Sequence, residues 1–200
     1  MGRKKKHDRN EMLEKAMELF RDHGFTGTSA EMLAEGLGAN RYSIYAEFGS
    51  KQGLFDAALQ RYDDIVVHRN FSPLEARDAG LNEIAALFAF FGAASRGKAS
   101  GRGCLLCNTA TEFGPNDPSG ERFVQRYFKR ISNAFNNALK NAATRNELID
   151  GIDCREEADF FTASVLGLFV MLRAKAPAAT VERAVRVAIR TLQSIQCQNA

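Results

Sequence analysis

From Leu13 to Ile195 the apolar residues of this 200-residue chain recur at spacings of three and four, with no sustained alternation in twos. That period stacks side chains along one side of a helix, whereas a half-buried strand needs period two. Leu13, Ala16, Met17 and Phe20 make one such stripe. Asp8 with Glu11 forms a capping box at its start, and His23 with Gly24 supplies the stop. A second short helix is predicted to open at Thr28, with Glu31 in the box position, and to run into Gly36-Leu37-Gly38. A third opens after Asn40 and carries Ile44, Tyr45 and Phe48. Ser50 caps a fourth, with Leu54, Phe55, Ala58, Leu59 and Tyr62 inward and an end near Asn70.

Beyond Pro73 the helices lengthen. Ile84, Leu87, Phe88 and Phe91 form a stripe that the glycine-rich stretch Gly97–Gly103 ends. Cys104 to Phe113 reads as a short apolar helix closed by Gly114-Pro115, with a polar loop from Asn116 to Gly120. Val124, Tyr127, Phe128, Ile131, Phe135, Ala138 and Leu139 define the next helix. Asp153 and Glu156 make a capping box ahead of a helix from Phe160 to Lys175, and Pro177 breaks it. Thr180 caps the last helix, with Val181, Val185, Ala188, Ile189, Leu192 and Ile195 on one face. The fold class expected is all-α, a small N-terminal helical unit followed by a larger helical bundle.

Charge narrows the function. The whole chain carries a formal charge of only +3. Residues 1–9, however, hold Arg3, Lys4, Lys5, Lys6 and Arg9 against Asp8, a local +4, while residues 10–70 sum to −4. Contact with nucleic acid would therefore rest on a basic arm and a local arrangement, not on a uniformly basic face. No apolar run approaches the roughly 18 residues of a membrane span. The basic N-terminus lacks the apolar stretch of a secretory signal. With four cysteines among 200 residues, the expectation is a cytoplasmic chain with reduced thiols.

Thr28 to Lys51 is the informative segment. Two short helices joined by a glycine-containing turn form a helix-turn-helix pattern, whose second helix fits the DNA major groove, about 12 Å wide, with its N-terminal residues on base edges. Asn40 precedes Arg41, Tyr42 and Ser43 at that position. Arg41 can fork onto guanine or phosphate, Ser43 can donate to either, and Tyr42 offers a ring to thymine methyls as well as a hydroxyl. Helix N-termini present unpaired N–H groups to phosphates, so Thr28 and Ser29 on one side, and Ser50 and Lys51 on the other, are expected to clamp the backbone.

The run from Glu14 to Leu54 resembles the DNA-binding domain of the TetR/AcrR family of transcriptional regulators. The matching residues are Ala16, Phe20, Gly24-Phe25, Thr28-Ser29, Leu33-Ala34, Gly38, Ile44-Tyr45, Phe48, Ser50-Lys51 and Leu54-Phe55. The resemblance implies phosphate contacts at Thr28, Tyr45 and Lys51, and base reading by Arg41 to Ser43. Tyr42 stands where many members have glycine, and Glu47 where an aromatic residue or histidine is common. A carboxylate there either accepts from a cytosine amino group or points away from the DNA.

The family layout implies a DNA-binding domain at residues 1–50 with a basic arm at 1–9. A linking helix at 51–70 comes next, then an effector-binding and dimerisation domain at 71–200. It also implies a homodimer formed by the last two helices. Ala163 and Gly167 permit close approach there, and Leu166, Phe169, Val170, Val185, Ile189 and Leu192 supply apolar area. The segment Gly103 to Glu112, followed by Asn116-Asp117-Pro118, resembles one recurring in a subgroup of the family. The expected function is a repressor released from a palindromic double-stranded operator by a small effector. Candidate effector contacts are Phe88, Phe91, Cys104, Asn108, Thr111, Glu112, Phe128 and Phe169, apolar walls with a few polar groups for orientation.

Cys104 and Cys107 share a helix face, but a tetrahedral metal site wants four ligands, and His7, His23 and His68 all precede the C-terminal domain. No metal or cofactor is expected. Small buried core residues are one reading of these cysteines; a redox- or electrophile-sensing thiol, with Cys104 near Arg102 and a helix start, is the other. No nucleophile–base order, phosphate loop or HExxH appears, so an enzyme is not expected. The alternative to a regulator is a helical ligand-binding or interaction protein without sequence-specific DNA binding.

Overall fold

The computed structural model describes residues 8–97, 99–113 and 118–197, with backbone alone at 118–120. The basic residues Arg3 to Lys6 and the stop at Gly114-Pro115 lie outside the described residues. Ten α-helices and no strand occur among those described: α1 Arg9–His23, α2 Ala30–Leu37, α3 Arg41–Phe48, α4 Lys51–Tyr62, α5 His68–Glu75, α6 Leu81–Ala94, α7 Leu105–Glu112, α8 Pro118–Thr144, α9 Cys154–Arg173 and α10 Ala178–Ser194. An antiparallel bridge, Leu148 to Gln196, ties the end of α10 to the segment after α8.

The helix starts match the predicted caps closely, with two shifts. Asp8, Asn40, Ser50 and Asp153 each accept a backbone N–H from the first turn of their helix, satisfying donors that the helix cannot. For α2 the cap is Ser29 rather than Thr28. Thr28 is fully buried and donates its hydroxyl to the Gly24 carbonyl at 2.5 Å. In α10 the start comes earlier than Thr180: the Pro177 carbonyl accepts from the amides of Thr180 and Val181.

The linking helix is also longer than expected. It passes from α4 through one π-helical stretch, Asp63–Val67, directly into α5 and continues past Pro73 to Glu75. Proline removes one N–H from the ladder, a loss of local stability that burial of Phe71 and Leu74 on either side offsets. Likewise α9 begins six residues before Phe160, straight after its Asp153 cap.

Two groups of helices share one continuous core. In the N-terminal group, α1 lies along α4, and α2 and α3 rest on these two through Leu33, Leu37 and Ile44. In the C-terminal group the long α8 packs against α9, and α6 against α10. Phe88, Phe135 and Phe161 meet there with ring centres 5.7–6.1 Å apart. Phe91 and Phe169 touch edge to face at 4.8 Å.

The expected dimer face needs redrawing. Phe169, Val185 and Leu192 are buried within the protomer, and Leu166 and Ile189 half-buried. The apolar residues left outward on α9 and α10 are Phe160, Ala163, Val170, Ala179 and Val187, with Gly167 beside them. Helix α9 carries apolar residues on two sides, Phe161, Val165 and Phe169 inward and Phe160 and Val170 outward, and only packing decides which side meets α8.

Candidate nucleic-acid interface

Helix α3 is eight residues long and buries only Ile44. Such a helix contributes little apolar area of its own, so it is held by its ends and its neighbours. Asn40 accepts from the Ser43 amide at 2.8 Å, and Gly49 closes the far end onto the Tyr45 carbonyl. At the end of α2, Gly38 sits at φ 67° and donates to Ala34 and Glu35, a left-handed cap that glycine adopts without strain. This closure forms the turn that sets α3 across α2.

The side chains proposed to read bases stand on the open side of α3. Tyr42 is 79% exposed, the most exposed large apolar side chain among the described residues. Arg41 is exposed and lies over the Tyr45 ring with its guanidinium carbon 5.4 Å from the ring centre. That contact limits the rotamers of Arg41 before any partner arrives. Ser43 and Tyr45 are half-buried, and Asn40, with its carbonyl used as the cap, keeps its amide donors.

Flanking groups offer donors to a phosphate backbone. Ser29 opens α2 and accepts from Met32 at 3.2 Å; Ser50 opens α4 and accepts from Gly53 at 3.0 Å. Lys51 is half-buried, with its ammonium 4.4 Å from the centre of the Phe25 ring. Thr28 stands apart from this set: its side chain faces the core, so only its backbone is placed toward the start of α2. Glu47 turns back to the first turn of α1, where it pairs with Arg9 at 3.0 Å. The Arg9 guanidinium carbon also lies 5.1 Å from the centre of the Phe48 ring. The pair neutralises a carboxylate that would otherwise repel DNA.

The effector candidates from the sequence do not assemble into one pocket. Phe88, Phe91 and Phe169 are core residues, and Phe128 is half-buried against Tyr127 at 5.8 Å. Asn108 donates to the Arg102 carbonyl at 2.9 Å, and the exposed Thr111 to the Asn108 carbonyl at 2.8 Å. Glu112 faces the N-terminal helices and accepts from the amides of Phe25 and Thr26. Asn108, Thr111 and Glu112 were grouped as polar members because they share one helix, yet they point to different surroundings.

Cys104 is buried with its Sγ 3.1 Å from the Tyr127 hydroxyl. Burial, then the neighbouring Cys104, pushes the Cys107 thiol up to about 12, far from the thiolate that reactivity requires. Burial first and Cys104 second also raise Tyr62 and Tyr127 well above the usual tyrosine range. Among the described residues no group of three or more histidine, cysteine or acidic side chains is placed to hold a metal ion.

A groove of about 400 Å³ between α5 and α6, which the sequence did not reveal, is walled by Pro73, Leu74, Ala86, Leu87 and Phe90, with Arg69, Asn70 and Glu83 also lining it. No helix of the described residues is long and apolar enough to cross a membrane.

Comparison with known proteins matches this arrangement along the chain. Residues 12–58 fit the family described as bacterial regulatory proteins, tetR family, and residues 80–188 the tetracyclin repressor-like C-terminal domain. The HTH-type transcriptional repressor ComR of Escherichia coli is 28% identical over 96% of this chain and 90% of its own length. The HTH-type transcriptional regulator YezE of Bacillus subtilis is 32% identical over 74% of this chain and 76% of its own. A cysteine mutant of the TetR family regulator CifR, solved with 26-bp double-strand operator DNA, superimposes with a TM-score of 0.83 at 26% identity, covering 94% of this chain and 98% of that one. With an exposed recognition helix, capped flanking helices and family matches to both its parts, this chain belongs to the TetR family and is a DNA-binding transcriptional regulator.

Proposed function

We propose that the chain is a homodimeric repressor that reads a palindromic operator through α3 of each protomer and is released by a small effector. The observation that carries this reading is α3 itself, with one buried residue and Arg41 and Tyr42 outward. The reading set is Asn40, Arg41, Tyr42 and Ser43, with Ser29, Tyr45, Lys51 and the backbone at Thr28 on phosphates. The DNA-reading unit then comprises the basic arm and α1 to α3. Helix α4 and its continuation to Glu75 form the link, and the remaining helices carry effector and dimer contacts. Two protomers joined through the outward apolar residues of α9 and α10 set the two α3 helices about one helical turn of DNA apart, or a multiple of it.

For the effector, the α5–α6 groove suits a small molecule better than the filled core does, because apolar walls with a few polar groups at the rim are what such sites require. Arg69, Asn70 and Glu83 at its edge supply the few polar groups that orient a ligand. The work is binding rather than catalysis, and it takes place in the cytoplasm, where the DNA is. Selection of duplexes from a random pool, followed by footprinting, tests the reading. The expected product is a two-fold symmetric site protected by a dimer; a monomer on DNA or an asymmetric site overturns it.

A further inference from the structure

We infer that Glu112 is a positioning residue for DNA binding: from the end of α7 it holds the turn on which α2 and α3 are carried. This rests on the regulator reading above, and it gives the C-terminal helices a grip on the reading unit separate from the α4 link. The two carboxylate oxygens of Glu112 accept from successive amides, Phe25 at 2.9 Å and Thr26 at 2.6 Å, which are 87 and 86 residues distant in sequence. Both amides point the same way because Gly24 ends α1 at φ 74°. A Cβ on Gly24 would fall 2.7 Å from a Glu112 oxygen, so glycine is required there both for its conformation and for the approach of the carboxylate. Hydrogen bonds from N–H groups to a carboxylate are charge-assisted and directional, which suits a fixed turn.

The neighbouring contacts extend the same grip. Phe113, next along the chain, meets Phe25 at 5.5 Å and Phe55 at 5.7 Å between ring centres. Phe25 in turn carries the Lys51 ammonium. Further back along α1, Arg102 pairs with Glu18 at 2.5 Å and with Asp22, Arg21 donates twice to the Gly103 carbonyl, and Arg173 donates to the carbonyls of Arg21 and Asp22. Those bonds fix the end of α1. Glu112 fixes the turn just beyond that end, where the Gly24 carbonyl receives the Thr28 hydroxyl and Ser29 starts α2 at the next residue. Freeing the Phe25 and Thr26 amides therefore loosens the entry to α2 while leaving α1 docked.

The proposal is testable because its sign opposes that of simple charge. A bare carboxylate near the reading unit repels phosphate, so removing it would strengthen binding to every duplex. Removing a positioning residue weakens binding to the preferred duplex.

The experiment compares full-length wild type, Glu112→Gln and Glu112→Ala on a duplex selected by the wild type and on a scrambled duplex, at two salt concentrations. Amide hydrogen exchange is measured on the same proteins without DNA. Expected are roughly tenfold weaker binding to the selected duplex, within the common range of coupling between sites, and an unchanged salt slope. Expected too is loss of protection at Phe25 and Thr26 with α9 and α10 still protected. Tighter or unchanged binding overturns the proposal, as does intact protection at those two amides. A wild type that prefers no duplex would overturn the operator reading instead, while exchange at Phe25 and Thr26 still decides whether Glu112 holds the turn. Should Glu112→Ala fail to fold, Glu112→Gln, which keeps the size of the side chain but only one acceptor oxygen, gives both readouts, with protection lost at one of the two amides at least.

Discussion

Helices α3 and α9 solve opposite problems. Of twenty residues α9 buries seven, among them Phe161, Val165, Leu168 and Phe169, and its place is set by apolar area. Of eight residues α3 buries one, and its place is set by Asn40, Gly38, Gly49 and the helices beneath it. A helix held by its ends leaves its side chains free for DNA, so residues there can change what is recognised with little effect on folding. The reverse holds in α9, where each inward apolar side chain is packed among others of similar kind and cannot change without disturbing them.

The largest effect that would break this contrast concerns stability. Phe161→Ala should destabilise the protein by about 3–5 kcal/mol, whereas Tyr42→Ala should stay within about 0.5 kcal/mol of wild type. Denaturant unfolding of both variants checks this, and equal losses would mean that α3 is not the lightly anchored element described. Next comes Arg41→Ala, expected to cost about 1–3 kcal/mol on the preferred duplex and to relax preference at one base position; competition binding against single-base variants reads it. Lys51→Ala should weaken all duplexes alike and lower the salt slope by about one. A loss confined to one sequence would move Lys51 from the backbone to the bases.

The smallest effect belongs to the link. Glu75 accepts two hydrogen bonds from Arg130, at 2.6 and 2.9 Å, and these hold its carboxyl below the usual range. A carboxylate with a lowered folded-state pKa stabilises the fold above its unfolded pKa and loses that contribution as pH falls through the folded value. The pair is partly exposed, so the contribution is discounted to less than about 1 kcal/mol. Glu75→Gln should therefore lower stability slightly at neutral pH and converge with wild type in acid, as thermal unfolding from neutral pH down into the acid range would record.

Much of this molecule was legible before any coordinates. Asp8, Asn40, Ser50 and Asp153 announced their helices because capping is a local interaction between a side chain and amides two or three residues on. Arg41 and Tyr42 were legible as candidate readers because they open the second helix of the helix-turn-helix pattern; that α3 buries Ile44 alone, with Tyr45 and Phe48 half-buried, only the structure showed. Thr28 was misplaced by one residue: a hydroxyl can cap the helix ahead or bond a carbonyl four residues behind, and local sequence favours neither. Pro73 was read as a boundary, yet the helix continues, since buried neighbours on both sides outweigh a single missing donor.

The role of Glu112 was beyond such reasoning. Its partners are the amides of Phe25 and Thr26, and an amide leaves no mark in a sequence because every residue but proline has one. The same limit applies to the dimer face, where α9 is apolar on more than one side and only the seat taken by α8 leaves Phe160 and Val170 outward. Periodicity, caps and the helix-turn-helix spacing are encoded within a few consecutive residues, so the chain alone determined the all-α class and the position of α3. Which carboxylate grips which turn, and which apolar face stays open, depend on elements far apart in the chain coming to rest against one another, and the tertiary structure alone decided them.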